Sequence, residues 1–267
     1  MKVMWPISLF LFIYLLSISI DSESITLQLE SRNSAPSIAH LFGTDWLGRD
    51  MFFRTLKALQ LSINVGLLTA VLSTIISFLL AIIATFHRKI DFVISWLIDV
   101  CLSLPHLVTL LLISFVVGGG MKGVIIGLVL THWPNLTRIL RIEMLQLKQS
   151  TYVKFSERLG KRFWWRALHH YLPHVLPHLL VGFTVIFPHA ILHEAAITFL
   201  GFGLPQDMPA IGVILSESMQ YLSTGMWWLA FFPGAMLCII ILLLQSSATR
   251  WKKILVKDHT YETTTSI

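Results

Sequence analysis

The chain has 267 residues, of which 55% are hydrophobic and only 13% charged, with a mean hydropathy of +0.74 and a net charge of +6. A soluble domain is roughly 45–50% apolar and 25% charged, so this composition marks an integral membrane protein and leaves no room for an extramembrane catalytic domain. The distribution of the positive charge, most of it outside the apolar runs, argues for membrane topology and contact with lipid headgroups and against nucleic acid as a partner.

A transmembrane helix needs about 20 apolar residues to cross a hydrocarbon core of roughly 30 Å, and counting uncharged runs predicts six of them. Val3 to Ile20 follows only Met1 and Lys2 and has no small-residue cleavage site before Asp21-Ser-Glu23, so it reads as a retained anchor rather than a signal peptide. Leu61 to Phe86 is unbroken, Phe92 to Val117 contains Asp99 and ends in Gly118-Gly119-Gly120, and Gly123 to Leu140 is short and carries Pro134 and Arg138. Val175 to Ala196 is interrupted by Pro177 and Pro188, and Trp227 to Ala248 begins with an aromatic belt at Trp227-Trp228. The chain thus divides into an anchor and connecting segment over 1–60, a five-helix core over 61–250 that contains a cytoplasmic loop over 141–174, and a tail over 251–267. Cys101 and Cys238 both lie in apolar runs, where a disulfide framework is not expected.

A cytoplasmic amino terminus leaves outside only Arg32, Arg49, Arg54, Lys57 and Lys122 of the 20 lysines and arginines. The opposite orientation would translocate the 141–174 loop with Arg141, Lys148, Lys154, Arg158, Lys161, Arg162 and Arg166, against the positive-inside rule. A carboxylate within a span is expensive, so Asp99, near the cytoplasmic start of the third span, is expected to pair with a basic residue close to that interface.

Within the basic loop, Tyr152, Phe155, Leu159 and Phe163 recur at helical spacing and predict a short amphipathic helix that can lie in a partner's groove. The bland reading is a topology determinant on anionic headgroups. Gly160, Leu172 and Pro173 fall in register with Glu-Ala-Ala, three residues, Gly, nine residues, Ile, one residue, Leu-Pro, a spacing that resembles the coupling loop of ABC-importer permeases and so implies docking. Lys154, Phe155 and Ser156 stand where that pattern has Glu-Ala-Ala, and His170 where it has Ile.

Two further stretches carry a resemblance. Gly43-Thr44-Asp45-Trp-Leu-Gly48-Arg49-Asp50-Met-Phe-Phe-Arg54 resembles the Gly-Thr-Asp-x-x-Gly-Arg-Asp-x-x-x-Arg signature of the second permease subunit of dipeptide, oligopeptide and nickel ABC importers. Glu194-Ala195-Ala196-Ile-Thr-Phe199-Leu200-Gly201-Phe-Gly203 is similar to that family's Glu-Ala-Ala-x-Ser-Phe-Leu-Gly-x-Gly segment, with Pro209 and Gly212 following. Asp99 to Pro105 and Phe232-Pro233-Gly234 extend the likeness, which covers roughly residues 38–245. The sequence departs from the family after the sixth span, where Leu244-Gln-Ser-Ser-Ala-Thr-Arg replaces a conventional Asn-Leu-x-Gly-Asp segment, and at Ile211 in place of Trp.

The resemblance implies an all-α type I importer permease that is not itself an enzyme and holds no cofactor or metal, ATP and Mg²⁺ belonging to partner subunits. It implies a homologous second permease, two cytoplasmic ATP-binding subunits and an extracytoplasmic solute-binding protein. The ATPase contact falls on Tyr152, Lys154, Phe155, Ser156, Glu157, Leu159, Gly160, Phe163, Leu172 and Pro173. Gly43, Thr44, Asp45, Gly48, Arg49, Asp50, Glu194, Gly201 and Gly203 are expected to be structural, with the glycines allowing backbone closed to other residues and Asp45, Arg49 and Asp50 able to pair or to cap a helix that precedes the second span. The chain has no Gly-x-x-x-x-Gly-Lys-Ser/Thr phosphate loop, in keeping with a separate ATPase.

Eleven histidines raise the alternative of a membrane-bound metalloenzyme, since His170, His174 and His178 are four apart, as are His189 and His193. Pro173 and Pro177 are expected to interrupt the first helix, with no adjacent carboxylate to complete that set. Among transported cargoes, His106, His132, His189 and His193 within spans favour a metal or its chelate.

Overall fold

The computed structural model describes residues 5–20 and 27–264, with side chains as far as Trp251. The expected span start at Val3 and the acidic Asp21-Ser-Glu23 lie outside the described residues. Ten α-helices are present among the described residues: α1 (Trp5–Ile18), α2 (Met51–Ala84), α3 (Arg88–Ser103), α4 (His106–Val116), α5 (Gly120–Lys148), α6 (Thr151–Arg158), α7 (Phe163–Arg166), α8 (Leu172–Phe199), α9 (Ile211–Leu222) and α10 (Trp228–Thr264). A π-helical turn, Ala167–Tyr171, joins α7 to α8. There is no strand among them, only an isolated bridge between Thr44 and Asp50.

Three helical segments are long and apolar enough to cross a membrane: Met51–Ala84, Phe163–Phe199 and Trp228–Trp251. The expected third span is a correction. It is two helices, α3 and α4, meeting at an angle of 102°. The cause is Pro105, whose ring drives Leu104 into extended backbone (φ −89°, ψ 144°) and ends α3 there. The pair counts as a fourth crossing only if taken together. The expected fourth span is longer than its apolar run, 29 residues with Pro134 inside. Its polar Thr131, His132 and Thr137 are buried against neighbouring helices, so α5 gains its environment from protein on several sides. At 14 residues, α1 is shorter than a usual crossing and packs on α2 and α10, with the Tyr14 hydroxyl donating to Asn64 Oδ1 at 2.8 Å.

Several expected boundaries shift. The second span and the segment before it form one helix, because Asp50 accepts from the Phe52 N–H at 2.8 Å and starts α2 ten residues before Leu61. The prolines at 177 and 188 do not break α8, and Pro173 sits in its first turn, where a missing N–H is harmless. The predicted outer loop contains α9, a short amphipathic helix burying Ile211 and Ile214 in the core shared with α8 and α10, and Val213 in a smaller cluster with Leu61 and Met121. The last helix continues past Ala248 to Thr264.

One large core joins α2, α5, α8, α9 and α10 through Met51, Leu59, Ile63, Leu140, Ile191 and Ile240. Close approach is bought by small residues. A Cβ at Gly66 would lie 2.4 Å from Ile191, and one at Gly212 would lie 2.5 Å from the Ala195 carbonyl, so α2 and α9 both press directly on α8.

Candidate functional site

Three regions hold the residues singled out from the sequence. The first is the loop and first turn around Asp45. This carboxylate is fully buried and accepts four hydrogen bonds: Oδ1 from the N–H groups of Leu47 (2.8 Å) and Arg49 (2.9 Å), Oδ2 from Arg49 Nε (2.6 Å) and Arg54 Nη1 (3.2 Å). Arg54 reaches on to Glu217 of α9 at 2.5 Å, and the guanidinium carbons of Arg49 and Arg54 lie over the Trp46 ring, 5.5 and 5.4 Å from its centroid, while Trp46 stacks on Tyr221. Thr44 Oγ1 donates to the Ser31 carbonyl and accepts from the Ser34 N–H, and its own carbonyl accepts from Trp228 Nε1. His40 Nδ1 meets Asp50 Oδ2 at 2.8 Å. Gly48 has φ +75°, and a Cβ there would sit 1.8 Å from the Gln28 carbonyl oxygen. These contacts tie the loop to α2, α9 and α10, and they satisfy every charged group of the motif from within the chain.

The second region is the basic loop. Its helix is shorter than expected: α6 stops at Arg158 and Phe163 belongs to α7. The stop is built by Gly160 at φ +75°, with Lys161 N–H donating to the Ser156 carbonyl at 3.1 Å and Gly160 N–H to that of Glu157 at 2.9 Å, the paired bonds of a Schellman cap. The inward face of α6 is Val153, which is fully buried, while Tyr152, Phe155 and Leu159 are 48%, 61% and 63% exposed. Partial desolvation raises the Tyr152 phenol above its ordinary value, so that surface ring is neutral at physiological pH.

Behind that face, α6 is clamped to the next turn. Glu157 pairs with Arg166 at 3.0 Å, Ser156 Oγ meets His170 Nε2 at 2.8 Å, and Lys161 lies 4.8 Å over the Trp165 ring. Phe163 packs on Phe86 at the end of α2, with centroids 3.5 Å apart, and on buried Tyr171, so the loop contacts two long helices. Lys154 is exposed, and Leu172 and Pro173 form the first turn of α8 beyond the π-helical turn.

The third region is Glu194 to Gly203. Glu194-Ala195-Ala196 lies near the end of α8, which runs on to Phe199. Glu194 is fully buried and accepts from Thr198 Oγ1 at 2.9 Å, and Thr198 Oγ1 in turn accepts from the Leu204 N–H. Gly203 lies so close that a Cβ would be 2.2 Å from Thr198 Oγ1, whereas Gly201 has φ +85° and open space around it.

Asp99 pairs with Arg138 of α5 at 2.6 Å, as expected, and a second pair between α3 and α5 that the sequence did not suggest joins Asp91 to Arg141 at 2.5 Å. The histidines sort differently from their spacing. His170 is engaged with Ser156. His174 and His178 flank a carboxylate after all, Glu143 of α5, at 3.7 and 3.8 Å. His170, His174 and His178 do not converge on one point. Instead His106, His132 and His193 meet, one from each of α4, α5 and α8, on the wall of a cavity of about 820 Å³ that Cys101, His178 and His189 also line. This grouping was illegible in the sequence because three separate helices supply it. The one available signal was Pro105, which places His106 at a helix start inside an apolar run.

Comparison with known proteins decides the family. Residues 73–258 match the binding-protein-dependent transport system inner membrane component family. The chain belongs to this family. Relatives agree with it: the dipeptide transport system permease protein DppC of Bacillus subtilis (strain 168) is 32% identical over 207 residues, covering 77% of this chain and 65% of its own length. The oligopeptide transport system permease protein OppC of the same organism is 34% identical over 215 residues, covering 80% of this chain and 70% of its own. Membership of this transport family assigns the type I importer permease fold and a multi-pass inner-membrane protein. The histidine-ligated metalloenzyme finds no support in these relatives or in the arrangement of His170, His174 and His178.

Proposed function

We propose that this permease is one half of the translocation pathway of an ATP-driven importer for di- or oligopeptides or for nickel or metal chelates, paired with a homologous second permease. Two cytoplasmic ATPase subunits dock on α6 and the turn that follows, an extracytoplasmic binding protein delivers cargo, and the amino terminus is cytoplasmic. The core over 61–250 carries the pathway. The contact set is Tyr152, Lys154, Phe155, Ser156, Glu157, Leu159, Gly160, Phe163, Leu172 and Pro173.

The observation that carries this reading is the exposed apolar face of α6, held by a clamp behind it. An eight-residue helix that buries one residue inward and leaves Tyr152, Phe155 and Leu159 outward is suited to a partner's groove. Closure of the ATPases on nucleotide would bind one position of this segment better than the other, and that differential affinity shifts the equilibrium between inward- and outward-facing cavities. Phe163 against Phe86 and Tyr171 at the foot of α8 give the displacement two routes into the helices around the cavity.

The test is co-purification. Phe155→Asp should reach the membrane at normal levels and lose the ATPase subunits on solubilisation, and retention of both ATPases by this variant would sink the assignment. Orientation is tested with Cys101 and Cys238 replaced by Ser. A cysteine at exposed Ser223 should then react with an impermeant maleimide on intact cells, and one at exposed Lys154 should not; the reverse pattern would invert the topology.

A further inference from the structure

The cavity at the bend between α3 and α4 is mostly apolar, with side chains such as Leu102, Ile113 and Val185 on its wall. Three imidazoles stand out against that background. The ring centroids of His106 and His193 are 4.5 Å apart, those of His106 and His132 4.8 Å, and those of His132 and His193 5.4 Å, and one ring nitrogen from each lies within 4.8 Å of the others. They are not joined to one another by a hydrogen bond among the described residues. The Nε2 atoms of His106 and His132 are buried and have no hydrogen-bond partner among those residues.

Buried nitrogens of this kind are normally satisfied, so two of them packed beside a third imidazole at the cavity wall call for a ligand. The tautomer of His132 says which kind. Its Nδ1 lies 2.7 Å from the Leu128 carbonyl oxygen, which can only accept, so Nδ1 carries the proton and Nε2 presents a lone pair. A backbone carbonyl that fixes the tautomer and turns the second nitrogen outward is the usual support behind a metal-bound histidine. His189, on the same wall, is held the same way by the Val185 carbonyl at 2.7 Å.

We propose that His106, His132 and His193 form a site for a first-row divalent transition-metal ion. Three neutral imidazoles with no carboxylate among them suit Ni²⁺, Co²⁺, Zn²⁺ or Cu²⁺ and not Mg²⁺ or Ca²⁺, which take oxygen ligands. Metal–nitrogen bonds of about 2.0–2.1 Å bring ligand nitrogens to roughly 3.3 Å from one another, so nitrogens now up to 4.8 Å apart need to close by as much as about 1.5 Å. His106 opens α4 directly after the Pro105 bend, and it is the member placed where a small rotation of a short helix achieves this. The ion keeps coordination positions open toward the cavity, where a cargo molecule with nitrogen or oxygen donors completes them. The site therefore selects cargo that arrives as a metal complex. This step rests on reading the cavity as the transport path.

The test uses the assembled importer in lipid nanodiscs and Co²⁺ alone as probe. One equivalent per permease should bind, with the visible absorption of nitrogen-ligated Co²⁺, and His132→Gln should weaken binding at least tenfold while His87→Gln, on an exposed turn, leaves it unchanged. Because the spectrum of the unsubstituted complex reports nitrogen ligation by itself, misfolding of a variant does not rescue the idea. An unsubstituted complex that hydrolyses ATP in response to loaded binding protein but takes up no Co²⁺ overturns the metal site and leaves the transport reading intact. Stoichiometric Co²⁺ without cargo-dependent ATPase supports the site and overturns the transport reading. Binding that survives the triple change of His106, His132 and His193 to Gln places the metal elsewhere and overturns the proposal.

Discussion

The loop around Asp45 and the segment around Gly160 are both polar, both flank a long helix, and both were singled out by resemblance to one family, yet they are built in opposite ways. Around Asp45 every charge finds its partner within the chain: two arginines, two backbone N–H groups, Glu217 and a tryptophan ring close the set. Around Gly160 the charges clamp the back of a helix and its apolar front is left in the open. A motif whose groups are consumed internally has a structural reason to keep its letters. A motif that presents a face needs only its turn and its spacing, and the face can be rewritten to suit a partner.

The largest effect should come from the closed region. Asp45→Ala removes the acceptor of four hydrogen bonds and leaves the buried Arg54 with Glu217 as its one remaining carboxylate partner among the described residues, and breaking a buried pair from one side costs about 3–5 kcal/mol. The expected result is a marked loss of thermal stability of the purified complex, with low membrane levels; a normal melting profile would show that the internal network is dispensable and erase the contrast drawn here.

A smaller and differently shaped effect belongs to the open region. A Cβ at Gly160 would meet no atom within 4 Å, so the main penalty of a side chain there is the backbone, about 1–2 kcal/mol for a left-handed residue. Gly160→Val should assemble at ordinary levels while cargo-stimulated ATP hydrolysis falls roughly tenfold, and Gly160→Asn, which tolerates that backbone, should recover most of it. If Val and Asn behave alike in the ATPase assay, the cap is not what orients α6. The least effect is expected from Glu157→Gln. Glu157 is more than half exposed in its pair with Arg166, and such pairs contribute about 1 kcal/mol or less. Chemical denaturation that moves by more than that amount would mean the clamp is stiffer than its exposure suggests.

Much of this was legible in one dimension. The membrane class follows from composition, the approximate places of the long helices from the apolar runs, and the pairing of Asp99 from the penalty for an unpaired carboxylate in a span, met by Arg138. The third span was misread as continuous, although Pro105 stood in it, because hydropathy is blind to direction: an apolar run looks the same straight or bent by 102°. The amphipathic face of the basic loop was read with Phe163 included, since spacing alone does not reveal that Gly160 has already ended the helix.

What the sequence determines by itself is local and additive: hydropathy that commits segments to lipid, glycines that permit particular turns, an aspartate that can start a helix, and a family likeness resting on short motifs. What only the tertiary structure decides is which distant groups share a point in space. Glu217 for Arg54, Glu143 for His174 and His178, and the meeting of His106, His132 and His193 all join helices remote in the chain. The regular spacing of His170, His174 and His178 suggested a site and produced none, while three histidines with no common period converge. Helix periodicity fixes only the face a side chain occupies on its own helix, and the packing of one helix against another fixes what that face meets.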